Sequence, residues 1–282
     1  MVTGHATNGD MIDFLIAKNR AERNLAPIYH YLSQPEITEA EASERFASIA
    51  GYTGCPGYIV HMTCEGALNA VRDNNRHNQK VFAETCIQYL LLDASVYKQN
   101  FEGAKWVMSP PLREKKDQEA LWAGINQGLV QVVATDHCPF SWEKKLLGKD
   151  DFSKIPNGHP AIEHRVELLY SEGVRKGRIT ANKFVEVLST NPAKIFGMFP
   201  QKGCIAPGSD ADIVLFDPNQ EHTISAATHH MNTDYSAYEG WKLTGKTKTV
   251  LLRGQVVIDE GKCLVEKGNG KYIKRNKVEG KI

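Results

Sequence analysis

Short β-rich runs alternate with amphipathic helical stretches through the first half of this chain, an alternation that calls for βαβ units around a parallel sheet. The runs are residues 57–61, 81–84 and 130–135. Residues 11–23 put Ile12, Leu15 and Ile16 on one helical face. Thr38 and Glu41 have capping-box spacing ahead of Ala42, Phe46 and Ile49, with Gly51 expected to stop that helix. Helices are also predicted at about 65–76 and 117–127, and a charged, turn-rich loop over 138–160. Three more helices are expected at 162–175, at 181–188, and from Pro192 with Asn191 as N-cap. From Ser209 the pattern changes: residues 211–216 and 249–257 read as strands, the second broken at Arg253-Gly254 by a hairpin turn. A domain boundary is therefore expected near 203–207.

Charge narrows the partners. Lys plus Arg number 34 against 33 Asp plus Glu, a formal net charge of +1, which gives no electrostatic footprint for nucleic acid or an anionic membrane. The basic stretch 271–277 reads as solvated surface. No apolar run approaches the roughly 20 residues that cross a bilayer. The six cysteines are scattered without a CxxC pair, and the first ten residues lack a basic start and an apolar run. The expectation is a soluble cytoplasmic protein with reduced thiols.

Three side chains stand at the ends of β-rich runs: His5, His61 and Asp136. That is where a (β/α)8 barrel places its chemistry. Imidazole nitrogens and a carboxylate suit a catalytic divalent ion that acidifies water, with the carboxylate free to shuttle the proton. By spacing alone, a structural role is the commoner reading for each of them.

The local strings carry more. His5-Ala6-Thr7-Asn8-Gly9-Asp10, Tyr58-Ile59-Val60-His61, Ser109-Pro110-Pro111-Leu112-Arg113, Thr135-Asp136-His137-Cys138 and Ile155-Pro156-Asn157-Gly158 closely resemble, in order and spacing, the dihydropyrimidinase/D-hydantoinase family of amidohydrolases. Asn191-Pro192-Ala193-Lys194-Ile195-Phe196-Gly197, Gly208-Ser209-Asp210-Ala211-Asp212-Ile213-Val214 and Thr228-His229-His230 extend the resemblance over essentially the whole chain. It implies an α/β fold: strands 5–8 of a metal-dependent (β/α)8 TIM barrel over 1–204, and part of a small C-terminal β-sandwich with a tail over 205–282. It implies His5 and His61 as metal ligands on barrel strands 5 and 6, and Asp136 as both ligand to a second metal and general base and acid. Ser109 and Asn157 resemble the residues whose backbone groups hold a cyclic amide or imide substrate. The implied activity is opening of dihydropyrimidine or hydantoin rings to N-carbamoyl amino acids. The implied cofactor is zinc, as a pair, in a homotetramer whose tail (268–277) reaches a neighbour.

The pattern also departs from the family. Its His-x-His pair, bridging carboxylated lysine and oxyanion-stabilising tyrosine have no counterpart in this sequence, so the resemblance implies at most a partial metal site and an inactive chain when alone. Thr7 stands where the family usually has a glutamate. His30, His77, His159, His164 and His222 match no ligand position and read as surface or packing residues; His229 and His230 read as structural, and His137 as a possible support for Asp136. Cys138 could line a pocket, but no base partner marks it as a nucleophile. Two alternatives remain. One is a non-catalytic scaffold of the collapsin response mediator type, which the presence of His61 and Asp136 disfavours. The other is a different cyclic amidohydrolase such as allantoinase or dihydroorotase, which Ile155-Pro156-Asn157-Gly158 disfavours.

Overall fold

In the computed structural model, which describes residues 1–76 and 81–276, the chain falls into two compact units. The first comprises Met1–Arg165 with Ile224–Gly240, and the second Val166–Thr223 with Trp241–Ile282.

In the first unit, Val2–Gly4 (β1), Gly57–Ile59 (β2), Val81–Cys86 (β3) and Val132–Ala134 (β4) make one parallel sheet in sequential order. Thr3 opposes Tyr58, Tyr58 opposes Phe82, and Thr85 opposes Val133. Parallel neighbours need a crossover. Gly9–Ala21 (α1), Ile28–Leu32 (α2) and Glu36–Thr53 (α3) supply the first, Glu65–Arg76 (α4) the second, and Ile87–Leu91 (α5) with Lys115–Asn126 (α6) the third. The central strands read as continuous apolar runs because they are covered on both faces: Tyr58, Ile59, Val81 and Ala83 are all buried. Ala67, Leu68 and Val71 recur at helical spacing on α4 and are fully buried, as are Leu121 and Ile125 on α6. Each such leucine, valine or isoleucine contributes about 1.5–3 kcal/mol of burial. Gly124 lets the two helices approach, since a Cβ there would sit 2.8 Å from Leu68.

Two expected helix signals behave differently. Asn8 caps α1, its side chain accepting from the Met11 amide, and Ile12, Leu15 and Ile16 are half-buried on one face as anticipated. The capping box at 38–41 does not form. Pro35, extended at ψ 156°, caps α3 three residues earlier; Thr38 then donates to the Pro35 carbonyl from inside the helix, and Glu41 accepts from Asn8 instead. Gly51 lies within α3, and Gly54, with φ 68°, provides the left-handed cap. The segment expected as a loop carries short helical turns at Trp142–Lys145, Leu146–Gly148 and Phe152–Lys154.

The second unit has an antiparallel sheet of Ile213–Thr223 (β5), Lys242–Leu252 (β6), Gln255–Asp259 (β7) and Lys262–Cys263 (β8), in that order. The turn anticipated at Arg253-Gly254 joins β6 to β7, with Leu252 opposite Gln255. Helical segments lie at Ala181–Val185, Glu186–Thr190 and Asn191–Ile195; Asn191 is the first residue of the last of these rather than its cap. The boundary anticipated near 203–207 marks where strands begin, whereas the compact unit begins at Val166. The Tyr170 and Phe184 rings explain this, since both pack on Phe216 of β5, at 4.7 and 6.4 Å between centroids. Residues 224–240 return to the first unit, where Tyr238 is buried against His159 with centroids 5.5 Å apart.

Candidate functional site

The site is built at the C-terminal ends of the parallel strands. His5 follows β1 directly, and His61 follows β2 by two residues. Parallel register therefore brings them side by side: His5 Nδ1 lies 2.8 Å from His61 Nε2, and the rings meet edge to face. Burial lowers the pKa of both imidazoles, with the neighbouring His5 adding to the effect on His61, so each is neutral and keeps a lone pair. No neighbouring residue among those described hydrogen-bonds the buried Nδ1 of His61. His5 Nε2 lies 2.6 Å from the Thr7 hydroxyl. A hydroxyl thus takes the orienting position beside this imidazole, the kind of contact that fixes a ligand tautomer.

Both His61 and Asp136 have left-handed backbone, φ 41° and 47°. Non-glycine residues there are strained by about 1–3 kcal/mol, and such strain clusters at functional sites. The Asp136 carboxylate is exposed, and its charge acts on both histidines, opposing their loss of basicity. Among the described residues no group of three or more histidine, cysteine, aspartate or glutamate side chains is arranged to hold one metal ion. The two histidines converge as a pair, and the Asp136 charge is close enough to act on both.

The fit to a divalent cation rests on that pair. Two imidazoles on a tetrahedral zinc at about 2.0–2.1 Å would have nitrogens roughly 3.3 Å apart. The pair at 2.8 Å needs only a small opening to reach this.

His5, Ser109 and Asn157 meet on a cavity of about 230 Å³, with Ile12, Ile16 and Phe152 as its apolar wall. His61 and Asp136 are not in that lining. A larger cavity of about 550 Å³, bordered by Arg20, Arg23, Asp151 and Lys154, holds none of the expected residues.

Several groups behind the site carried no signal in the sequence reading. Glu84, inside β3, accepts from the Tyr58 hydroxyl at 2.7 Å and from the His61 amide at 3.3 Å, and burial raises its pKa. It holds the strained backbone of His61 in place. Arg113 and Glu39, each 2% exposed, form a buried pair at 3.1 Å. Glu39 also accepts from the Thr63 amide and hydroxyl, and Arg113 donates to the Thr63 hydroxyl and the Gln34 carbonyl. Gln34 in turn donates to Ser109 Oγ at 3.2 Å. One network thus ties the loop after His61 to the Ser109 segment.

The remaining histidines have assigned surroundings. His30 is buried with Nε2 2.8 Å from the Met108 carbonyl, His159 is buried, and His164 is buried. His222 pairs with Glu167 and His230 with Glu163. His137 Nδ1 accepts from the Ala161 and Ile162 amides, anchoring the end of the loop to the residue after Asp136. His77 lies outside the described residues, as does Lys277 of the basic stretch. None of the six cysteines is in a disulfide, and Cys138 is exposed.

Residues 40–257 match the amidohydrolase family. The chain is 48% identical over 279 residues to a D-hydantoinase of Geobacillus stearothermophilus, covering 98% of this chain and 59% of that protein. It is 43% identical over 281 residues to a D-phenylhydantoinase of Escherichia coli, with 98% and 60% covered. Among solved structures, the dihydropyrimidinase of Brevibacillus agri aligns with a TM-score of 0.95 at 48% identity, over 97% of this chain and 60% of that one. The L-hydantoinase of Arthrobacter aurescens aligns with a TM-score of 0.92 at 29% identity, over the same shares. The chain thus spans about 60% of the length of these relatives.

Proposed function

This chain belongs to the amidohydrolase family, and from that premise we propose that it contributes to metal-dependent hydrolysis of a cyclic amide or imide, of the hydantoin or dihydropyrimidine type. The observation that carries the reading is the convergence of His5 Nδ1 and His61 Nε2 at the ends of adjacent parallel strands. The four strands in sequential order are read as strands 5–8 of an eight-stranded barrel, whose C-terminal rim is the catalytic face.

In this reading the two neutral imidazoles hold a divalent ion, with zinc the natural choice for nitrogen donors. The ion would polarise the scissile carbonyl and make water acidic near neutral pH. Asp136 takes a proton from the attacking water at its exposed carboxylate and returns it to the ring nitrogen as the amide bond breaks. The backbone groups of Ser109 and Asn157 orient the ring, and Ile12, Ile16 and Phe152 receive its apolar substituent. Assembly as a homotetramer and a cytoplasmic location belong to the same proposal.

The test is a side-by-side assay of dihydrouracil, a 5-substituted hydantoin, allantoin and dihydroorotate with zinc supplied. Ring opening of either of the first two supports the assignment. Turnover of only the last two overturns it, and zinc binding that survives loss of both histidines removes its foundation.

A further inference from the structure

Lys145 ends the short helix Trp142–Lys145 and is fully buried, yet among the described residues no carboxylate is a hydrogen-bond partner. Its ammonium donates instead to three main-chain carbonyls: Val107 at 2.9 Å, Pro156 at 2.7 Å and Gly158 at 2.9 Å. The Val107 carbonyl is shared with the Gly158 amide, at 3.0 Å. Gly158 is wedged in place, since a Cβ there would lie 2.1 Å from the Cys138 carbonyl. The three carbonyls are not scattered. Pro156 and Gly158 flank Asn157, and Val107 lies two residues before Ser109.

An unpaired ammonium in an apolar interior is expensive unless all its protons are used. Three carbonyls use all three. A charged group also binds a carbonyl about twice as strongly as a neutral donor does.

We infer that Lys145 is a positioning residue: its ammonium clamps the segment before Ser109 to the Pro156–Gly158 loop, setting the spacing of the two chain segments that receive the cyclic amide. The inference rests on the functional reading above for the identity of the ligand, and on geometry alone for the clamp. The clamp does not touch the histidine pair, so it governs ligand affinity and leaves metal affinity alone. Burial brings the Lys145 pKa down to about 7, opposed by Cys138. Of the other titratable groups facing it, His30 and His159 are themselves held neutral by burial, with Lys145 contributing. The aromatic face of Phe140 lies 5.7 Å from the ammonium. The clamp is therefore sensitive to pH from within: it is closed in acid and loses its charge as pH rises through neutrality.

Lys145→Met keeps the length of the side chain and removes its charge. In the 282-residue chain loaded with zinc, hydantoin should bind about tenfold or more weakly by calorimetry, with zinc affinity unchanged. Amide exchange at Gly158 should accelerate by about the same factor, and Lys145→Gln, which retains N–H donors, should recover part of both. Wild-type hydantoin affinity and exchange in Lys145→Met overturn the proposal. If the unmodified chain binds no hydantoin while exchange at Gly158 accelerates in the variant, the clamp stands and the functional reading falls. If Lys145→Met does not fold, the unmodified chain decides: protection of the Gly158 amide that fades between pH 6 and 8 supports the clamp, and an unprotected Gly158 amide at pH 6 overturns it.

Discussion

The parallel and antiparallel sheets both follow strands with left-handed backbone, and they use it for different ends. Arg253 and Gly254, at φ 51° and 81°, join β6 to β7; Glu260 and Gly261, at 44° and 77°, join β7 to β8. Two consecutive positive φ values are what a two-residue hairpin requires to match strand twist. His61 and Asp136 make no hairpin, because parallel strands have none to make. Their strained backbone re-aims a side chain at the rim of the sheet, and Glu84 restrains the amide of His61. The same dihedral is topology in one sheet and chemistry in the other; what distinguishes them is the neighbours.

That contrast can be broken at several points. Removing the acid–base group while keeping its shape, Asp136→Asn, should lower the rate of ring opening by about 10²–10⁴-fold and leave zinc on the histidine pair, read by activity and chelator competition together. His61→Ala should weaken zinc binding by more than the roughly 10–100-fold that altered orienting contacts cost, in the same competition assay. Equal zinc affinity in this variant would make the left-handed residue at β2 as neutral to function as those in the hairpins.

Glu39→Gln leaves Arg113 charged and buried without its partner, and should destabilise the first unit by about 3–5 kcal/mol in urea unfolding. Acid should act on the same unit. Burial lowers the pKa of His30 to about 4 and of His159 to about 3, from 6.5 when exposed. Between those values the unfolded chain binds more protons than the folded one, so stability is fully present above pH 6.5 and is lost as pH falls towards 4 and 3. The loss for His30 is on the order of 3 kcal/mol, measurable as a falling urea midpoint that His30→Gln flattens. In the antiparallel sheet, Gly254→Ala meets nothing closer than 4.0 Å, so only backbone strain opposes it, about 1–2 kcal/mol with zinc binding untouched.

The legible parts of this molecule were those with local causes. The hairpin at Arg253-Gly254 could be read because glycine adopts positive φ freely, and the strand ends before His61 and Asp136 because buried parallel strands are short and apolar. Competing local causes misled elsewhere. Thr38 and Glu41 have the spacing of a capping box, but Pro35 opens α3 first and both side chains find other partners. Tyr170, Phe184 and Phe216, far apart in sequence, draw the helices after residue 165 towards the strands of the second unit, which no change in periodicity signals. Lys144 and Lys145 are neighbours in the stretch expected as a charged, turn-rich loop; the first is exposed and the second is entirely buried.

By itself, then, the order of residues determined the strand–helix alternation, the family to which its motifs point, and which side chains stand at the mouths of the strands. Those are consequences of hydrophobic period and backbone preference over a few residues. Tertiary structure alone decided that the two imidazoles meet, and that a buried ammonium holds three distant carbonyls. Such contacts depend on how separate segments are brought together, and desolvation at the point of meeting sets both their strength and their charge.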